Sequence, residues 1–306
     1  MTSSDDVWAQ TRTTQKDFPR VDDSTLPSLC DAVRTDGFAI VKSMLTPELC
    51  ARLRDCADRI FGEQQEGTYP KDLNDSFDVD VALQHRVPDR RESGNYRHAA
   101  RHPIFDGVMA EAVTAGNMID MQKALLRSDR GLRLMQQQLV RSDPDPKAIA
   151  SGSTPNGWHM DTAFLPKHYD SVPQMNVHHV VTCLNKVESG GAAFMVVPGS
   201  FRFAKEYTRS MPLAKQEALR DSDFRTKLRP ELLSRIDTSP GVELLMDEGD
   251  ACVFDQMTCA NTDCRALIPL VAANPSLWHA HAMQSSFRVS AVNPTHVPIR
   301  LVQHVL

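Results

Sequence analysis

The chain has 306 residues, with 34 Lys+Arg against 39 Asp+Glu and a formal net charge of -5. Its hydrophobic fraction of 41% and charged fraction of 24% are ordinary for a globular protein. The mild acidic excess argues against nucleic acid or an anionic membrane surface as a partner. No apolar run approaches the roughly 20 residues that a membrane-spanning helix needs, which excludes that class as well.

The cysteines and the first residues indicate a reduced compartment. Seven cysteines are odd in number and form no C-x-x-C pair, a usage that favours free thiols over a disulfide framework. The start of the chain is polar and acidic, without the apolar or Arg-rich pattern of a targeting segment. We therefore expect a cytoplasmic protein.

The first part of the chain predicts a loose arm followed by helices. Residues 1–20 are polar and aperiodic, and residues 21–306 are predicted to form one domain. Apolar spacing predicts a helix over 25–36 that Gly37 ends, and a strand over 38–41 follows. Thr46 as N-cap and Pro47 in the first helical position predict the start of a helix over 47–61, and helical spacing recurs over 104–130 and 203–236. The polar stretch 63–101 is predicted to be a long loop.

The second part of the chain has the pattern of strands and turns. Short apolar or alternating segments are bounded there by Gly, Pro, Asn or Asp, which is typical of strands; these segments are 135–141, 176–184, 192–197, 242–246, 251–254 and 289–292. Helices that precede strands indicate an α+β domain, with a sheet sandwich or barrel and helices packed outside.

A candidate metal site begins with an H-x-D pair. His159 and Asp161 stand two residues apart in a segment predicted to be extended, so both side chains would face one pocket. An imidazole and a carboxylate are two of the three ligands in the 2-His-1-carboxylate set that holds non-haem Fe(II). The pair alone is a weak signal, because H-x-D occurs by chance in many chains.

Two further sites on predicted strands are candidates for ligand contact. Arg288 and Ser290 alternate on the last strand, where a guanidinium and a hydroxyl could hold a carboxylate inside a barrel; an Arg at a strand edge facing solvent is the alternative. His178 and His179 are adjacent on an earlier strand, so one faces the barrel interior, where it could line a substrate pocket, and the other faces outwards.

Several stretches, in the same order, resemble the phytanoyl-CoA dioxygenase-like family of Fe(II)/2-oxoglutarate oxygenases. The likeness covers roughly residues 25–295 and is carried by the segments 36–41, 45–49, 158–162, 190–200 and 249–255, and by the strand of Arg288. One departure is Phe201, which stands where the family usually has His. The resemblance implies a double-stranded β-helix (jelly roll, cupin-like) core with flanking N-terminal helices.

The resemblance also implies the roles of individual residues. His159 and Asp161 would bind Fe(II), and Arg288 with Ser290 would bind the distal carboxylate of 2-oxoglutarate. Candidates for contact with the C1 end of 2-oxoglutarate are Thr162 and Gln138.

The third metal ligand is where this chain departs from the family pattern. Family members usually carry a second histidine about five residues after the residue equivalent to Asp255, and residues 256–260 contain none. An insertion near 261–276 would displace this ligand to His279, with His281 as the rival. Cys259 lies one place short of the usual position, and a thiolate is not the usual ligand of such a site.

The predicted activity is oxidation of an unactivated C–H bond in a small metabolite, most simply hydroxylation, with O₂ consumed and succinate and CO₂ released. Desaturation and ring formation are other outcomes of the same chemistry, and specialised-metabolite biosynthesis is a suitable setting. Asp161 argues against a halogenase, since those relatives generally lack the carboxylate ligand. Two alternatives are a jelly-roll protein that has lost the iron site and binds a ligand or partner, and a metal hydrolase.

Overall fold

The fold was analysed in a computed structural model. It describes residues 17–18, 20–66, 96–100, 107–127, 132–142, 158–160, 177–187, 193–218, 228–238, 241–263 and 282–291. Its helices and strands are numbered along the chain. The helices are α1 (Leu26–Asp36), α2 (Pro47–Glu66), α3 (Gly107–Thr114), α4 (Met118–Leu126), α5 (Ser200–Ser210), α6 (Leu213–Ala218) and α7 (Arg229–Leu233).

The strands form two sheets. They are β1 (Asp17–Phe18), β2 (Phe38–Val41), β3 (Tyr96–Ala100), β4 (Leu132–Ser142), β5 (Val177–Cys183), β6 (Ala193–Val196), β7 (Val242–Leu244), β8 (Ala251–Asp255), β9 (Ala260–Asp263) and β10 (Ala282–Ala291). The large sheet has the order β1-β2-β8-β5-β10-β4-β3, and the small sheet has the order β7-β6-β9. An isolated antiparallel bridge between His159 and Ala260 adds residue 159 to the free edge of β9.

From β4 onwards the chain winds between the two sheets. It passes from β4 to the bridge at residue 159, back to β5, across to β6 and β7, back to β8, across to β9, and finally to β10. This alternation is the winding of a jelly roll, and it agrees with the predicted α+β architecture.

Apolar clusters hold the sheets and helices together. Between the sheets, Phe254 and Val181 of the large sheet pack with Phe194 and Ala260 of the small sheet. On the outer face of the large sheet, residues such as Val180 pack against α1 and α4. On the outer face of the small sheet, Met160, Val197, Cys259 and residues of α5 and α7 form a further cluster. Where the structure describes the side chains, apolar residues thus cover the inner and outer faces of both sheets.

The caps of the first helices follow the sequence prediction. The Thr46 hydroxyl accepts a hydrogen bond from the Leu49 N–H at 3.2 Å, next to Pro47 in the first helical position. Gly37 ends α1 with φ of 88° and donates its N–H to the Val33 carbonyl at 2.9 Å. The two-residue strand β1, too short to show a period, was not predicted within the arm of residues 1–20.

Several predicted boundaries were wrong. The helix predicted over 104–130 is two helices, because Gly116 and Asn117 both adopt left-handed backbone conformations between α3 and α4. The loop predicted over 63–101 contains the end of α2 and the strand β3. Strand β9 was not predicted; it begins at Ala260 and runs into the predicted insertion near 261–276. None of the described helices is long and apolar enough to cross a membrane.

Candidate functional site in the jelly-roll barrel

His159 projects into the space between the two sheets. The His159 N–H donates to the Ala260 carbonyl and the Ala260 N–H donates to the His159 carbonyl, both at 2.8 Å, so the two residues are direct partners. Partners on neighbouring strands share a face, and Ala260 belongs to the cluster between the sheets. The flanking residues Trp158 and Met160 pack instead with the outer cluster. The half-buried imidazole therefore faces the barrel interior.

The segment that carries His159 is fixed from its outer side. The Trp158 indole lies where a side chain at Gly241 would be, because a Cβ there would come within 2.6 Å of the ring. Ser200, at the start of α5, accepts a hydrogen bond from the Cys259 N–H at 2.8 Å and donates one to the Val197 carbonyl at 2.7 Å. These contacts hold the start of β9, the strand that pairs with His159, against α5.

The residue opposite His159 cannot bind a metal. Ala260 stands about five residues after Asp255, where the resemblance led us to expect the second histidine, and its side chain has no donor atom. Cys259 lies on the outer face, and burial raises the pKa of its thiol to about 12, which keeps it protonated. Within the described parts of the chain, no three His, Cys, Asp or Glu residues are grouped so as to hold a metal ion.

The structure describes only some of the other residues predicted to bind the metal or 2-oxoglutarate. Asp161, Thr162, His279 and His281 lie outside the described residues. The backbone places Arg288 on β10 opposite His179 of β5, and Ser290 opposite Val177. Gln138 on β4 is the register partner of Ser286, so it lies on the strand next to β10.

The two adjacent histidines of β5 face opposite sides of the large sheet. His179 is buried in the barrel, where its ring lies 4.9 Å from that of Phe254. His178 is the register partner of Asp255 and lies on the outer face, together with Val180. Asp255 in turn accepts a hydrogen bond from Lys205 of α5 and another, at 2.9 Å, from the Met257 N–H. The sequence predicted one inward histidine here without determining which.

Because the imidazole of His178 is buried, we expect the folding stability to depend on pH. Burial lowers its pKa from 6.5 to about 4, while Asp255 opposes this shift and Lys205 and Arg34 add to it. The unfolded chain then binds more protons than the folded chain between these two values, so the stabilisation present above pH 6.5 is lost as the pH falls towards 4. The loss amounts to about 3 kcal/mol.

The measurement is chemical denaturation of the wild type and His178→Gln across this pH range. We expect the stability of the wild type to fall more steeply between pH 6.5 and 4 than that of the variant. Parallel curves for the two proteins would contradict the prediction.

Comparison with known proteins agrees with the jelly-roll winding. The family model described as phytanoyl-CoA dioxygenase (PhyH) matches residues 33–260, which is more than half of the chain. The chain therefore belongs to the phytanoyl-CoA dioxygenase (PhyH) family. The matched range ends at Ala260, so the strand of Arg288 lies beyond it. Comparison with curated protein sequences gives no significant match.

Solved structures share the fold at low sequence identity. The α-ketoglutarate-dependent epimerase SnoN from nogalamycin biosynthesis is 15% identical, with a TM-score of 0.51 over 88% of this chain and 84% of that one. HygX from Streptomyces hygroscopicus, solved with nickel, 2-oxoglutarate and hygromycin B, is 14% identical, with a TM-score of 0.51 over 89% and 88%. AviO1 from Streptomyces viridochromogenes Tue57 is 16% identical, with a TM-score of 0.50 over 89% and 96%.

Proposed function

We propose that this protein is a non-haem Fe(II)/2-oxoglutarate-dependent dioxygenase that oxidises an unactivated C–H bond of a small metabolite. The observation that carries the proposal is the inward-facing, half-buried imidazole of His159 at the edge of the small sheet, in a chain of the PhyH family. The imidazole fits a metal site chemically, since a neutral ring nitrogen in a barrel is a common ligand of Fe(II).

The chain would hold the iron through His159, Asp161 and His279, with His281 as the rival third ligand. Ala260 offers no donor atom beside His159, which supports a third ligand from further along the chain. Arg288 and Ser290 would bind the distal carboxylate of 2-oxoglutarate, and Thr162 and Gln138 its C1 end. When bound, the iron and 2-oxoglutarate supply the oxidising chemistry with O₂, releasing succinate and CO₂.

The protein's own contribution is orientation and the exclusion of water. The apolar layer around Phe254, Phe194 and Val181 closes the barrel between the sheets. Once desolvated, a carboxylate ligand would be attracted more strongly to a metal ion there than in water, because the surroundings are apolar. SnoN is an epimerase from nogalamycin biosynthesis, and HygX was solved with hygromycin B bound, which supports a small specialised metabolite as the ligand of this fold. We propose a specialised metabolite as substrate on this ground. Hydroxylation as the reaction and the cytoplasm as the location are further parts of the proposal, and they rest on the sequence.

Anaerobic titration of Fe(II) and 2-oxoglutarate into the apo-protein tests the proposal. The chelate of the two on a facial site has a visible charge-transfer band, which we expect in the wild type. Because His279 is the proposed third ligand, His279→Ala should lose the band while His281→Ala keeps it. The reverse pattern would assign the third ligand to His281.

A wild-type protein without the band would contradict the proposed function. The second candidate function would then lead: a jelly-roll protein that binds a ligand or partner without iron. The observation that favours this candidate is Ala260, which occupies the position directly opposite His159 without a ligating atom.

A further inference from the structure

A second imidazole faces the barrel interior, from the sheet opposite His159. His179 is 6% exposed, and its ring lies 4.9 Å from Phe254 with a tilt of 32° between the planes. Phe254 also lies 4.9 Å from Phe194 of the small sheet, so the aromatic rings bridge the two sheets at this level. The proposed iron site makes no use of His179.

His159 and His179 lie at the same end of the barrel. Strand β8 ends at Asp255 and β9 begins at Ala260, so only residues 256–259 connect them. His179 is the register partner of Phe254, next to the end of β8, and His159 is the bridge partner of Ala260, at the start of β9. A connection this short keeps both partners at one edge of the barrel, because each residue spans at most about 3.6 Å.

His179 also neighbours the position proposed to bind the cosubstrate. On its other side in the large sheet, its register partner is Arg288 of β10. The row Phe254, His179 and Arg288 therefore crosses three adjacent strands at the barrel end that carries His159. An acid bound between His159 and position 288 would lie within this end of the barrel.

We propose that His179 is a binding residue for the distal carboxylate of 2-oxoglutarate, to which its imidazole N–H donates a hydrogen bond. The inference rests on the proposed function and adds a residue to its cosubstrate site. A hydrogen bond to a charged acceptor in an apolar barrel is among the stronger ones that proteins make. His178 does not share this role, because it lies on the outer face of the sheet with Asp255.

The experiment compares two acids in the anaerobic Fe(II) titration at near-neutral pH. The acids are 2-oxoglutarate and 2-oxopentanoate, which has a methyl group in place of the distal carboxylate. The variant is His179→Phe, which keeps an aromatic ring against Phe254 but removes the donor, and His178→Gln is the matched control. Near-ultraviolet circular dichroism verifies that each variant is folded.

We expect His179→Phe to weaken 2-oxoglutarate binding about tenfold or more, and to leave 2-oxopentanoate binding unchanged. His178→Gln should bind both acids as the wild type does. Equal losses for both acids would assign His179 a structural role, and unchanged binding of 2-oxoglutarate would also overturn the inference. Either result leaves the proposed function standing, whereas a wild-type protein without a band refutes both. If His179→Phe is not folded, His179→Gln is used, and it should retain part of the preference for 2-oxoglutarate.

Discussion

Replacing His159 with alanine is expected to abolish iron binding and oxygenase activity. Loss of a residue that merely supports a metal ligand typically costs 10–100-fold in affinity or activity, so loss of the ligand itself should cost more than about 100-fold. The measurements are the iron retained after gel filtration and the amplitude of the charge-transfer band. Asp161→Ala should have the same effect, and both variants should lose coupled formation of succinate.

The fold should survive the His159 substitution. Residue 159 is held to Ala260 by two backbone hydrogen bonds, which alanine can also make, and its neighbours Trp158 and Met160 pack on the outer face. His178→Gln is the control, because that histidine faces α1 and α5 rather than the barrel. Iron binding of wild-type strength in His159→Ala would refute the assignment of the site.

Replacing Gly249 with alanine is expected to cause a large loss of folding stability. Gly249 has φ of +85°, and a Cβ there would lie 2.3 Å from the Leu45 carbonyl oxygen. The loop that contains Leu45 cannot easily move away from Gly249. The Leu45 N–H donates to the Gly249 carbonyl at 3.0 Å, and the Gly249 N–H donates to the Cys183 carbonyl at 2.8 Å. Backbone strain and overpacking together should cost about 3 kcal/mol or more.

Thermal and denaturant unfolding measure this effect. A loss of that size should lower Tm by roughly 5–10 °C in a chain of this size. Gly107→Ala is the matched control, since a Cβ at Gly107 meets nothing within 4 Å and the residue lies at the start of α3. Its unfolding free energy should change by less than about 1 kcal/mol. A Gly249→Ala protein as stable as the control would show that the loop of Leu45 gives way freely.

Local chemistry explains which helices could be predicted from the sequence. Pro47 and Thr46 mark the start of α2, and Gly37 marks the end of α1, because caps depend on backbone groups within one turn. The break between α3 and α4 could not be predicted in this way. It depends on left-handed conformations at Gly116 and Asn117, and a Cβ at Gly116 would lie 2.5 Å from the Met44 carbonyl oxygen, a contact distant in sequence.

The candidate site, too, could be predicted only in part from the sequence. The H-x-D pair and the order of motifs led to the family, and the family model confirmed that recognition. The assignments of Asp161, His279 and Arg288 to iron and 2-oxoglutarate remain predictions. Which of His178 and His179 faces the barrel was open, because a period of two indicates that neighbours alternate but not which face is inside.

The sequence by itself determined the family, the mixture of helices and strands, and the residue types suited to an iron and 2-oxoglutarate site. Only the tertiary structure decided that His159 pairs with Ala260, that His179 faces the barrel interior, and that Arg288 lies opposite His179. The reason is physical. Caps and periodicity arise from contacts within a few residues, whereas strand register joins residues more than 100 positions apart and is set by the packing of both sheets together.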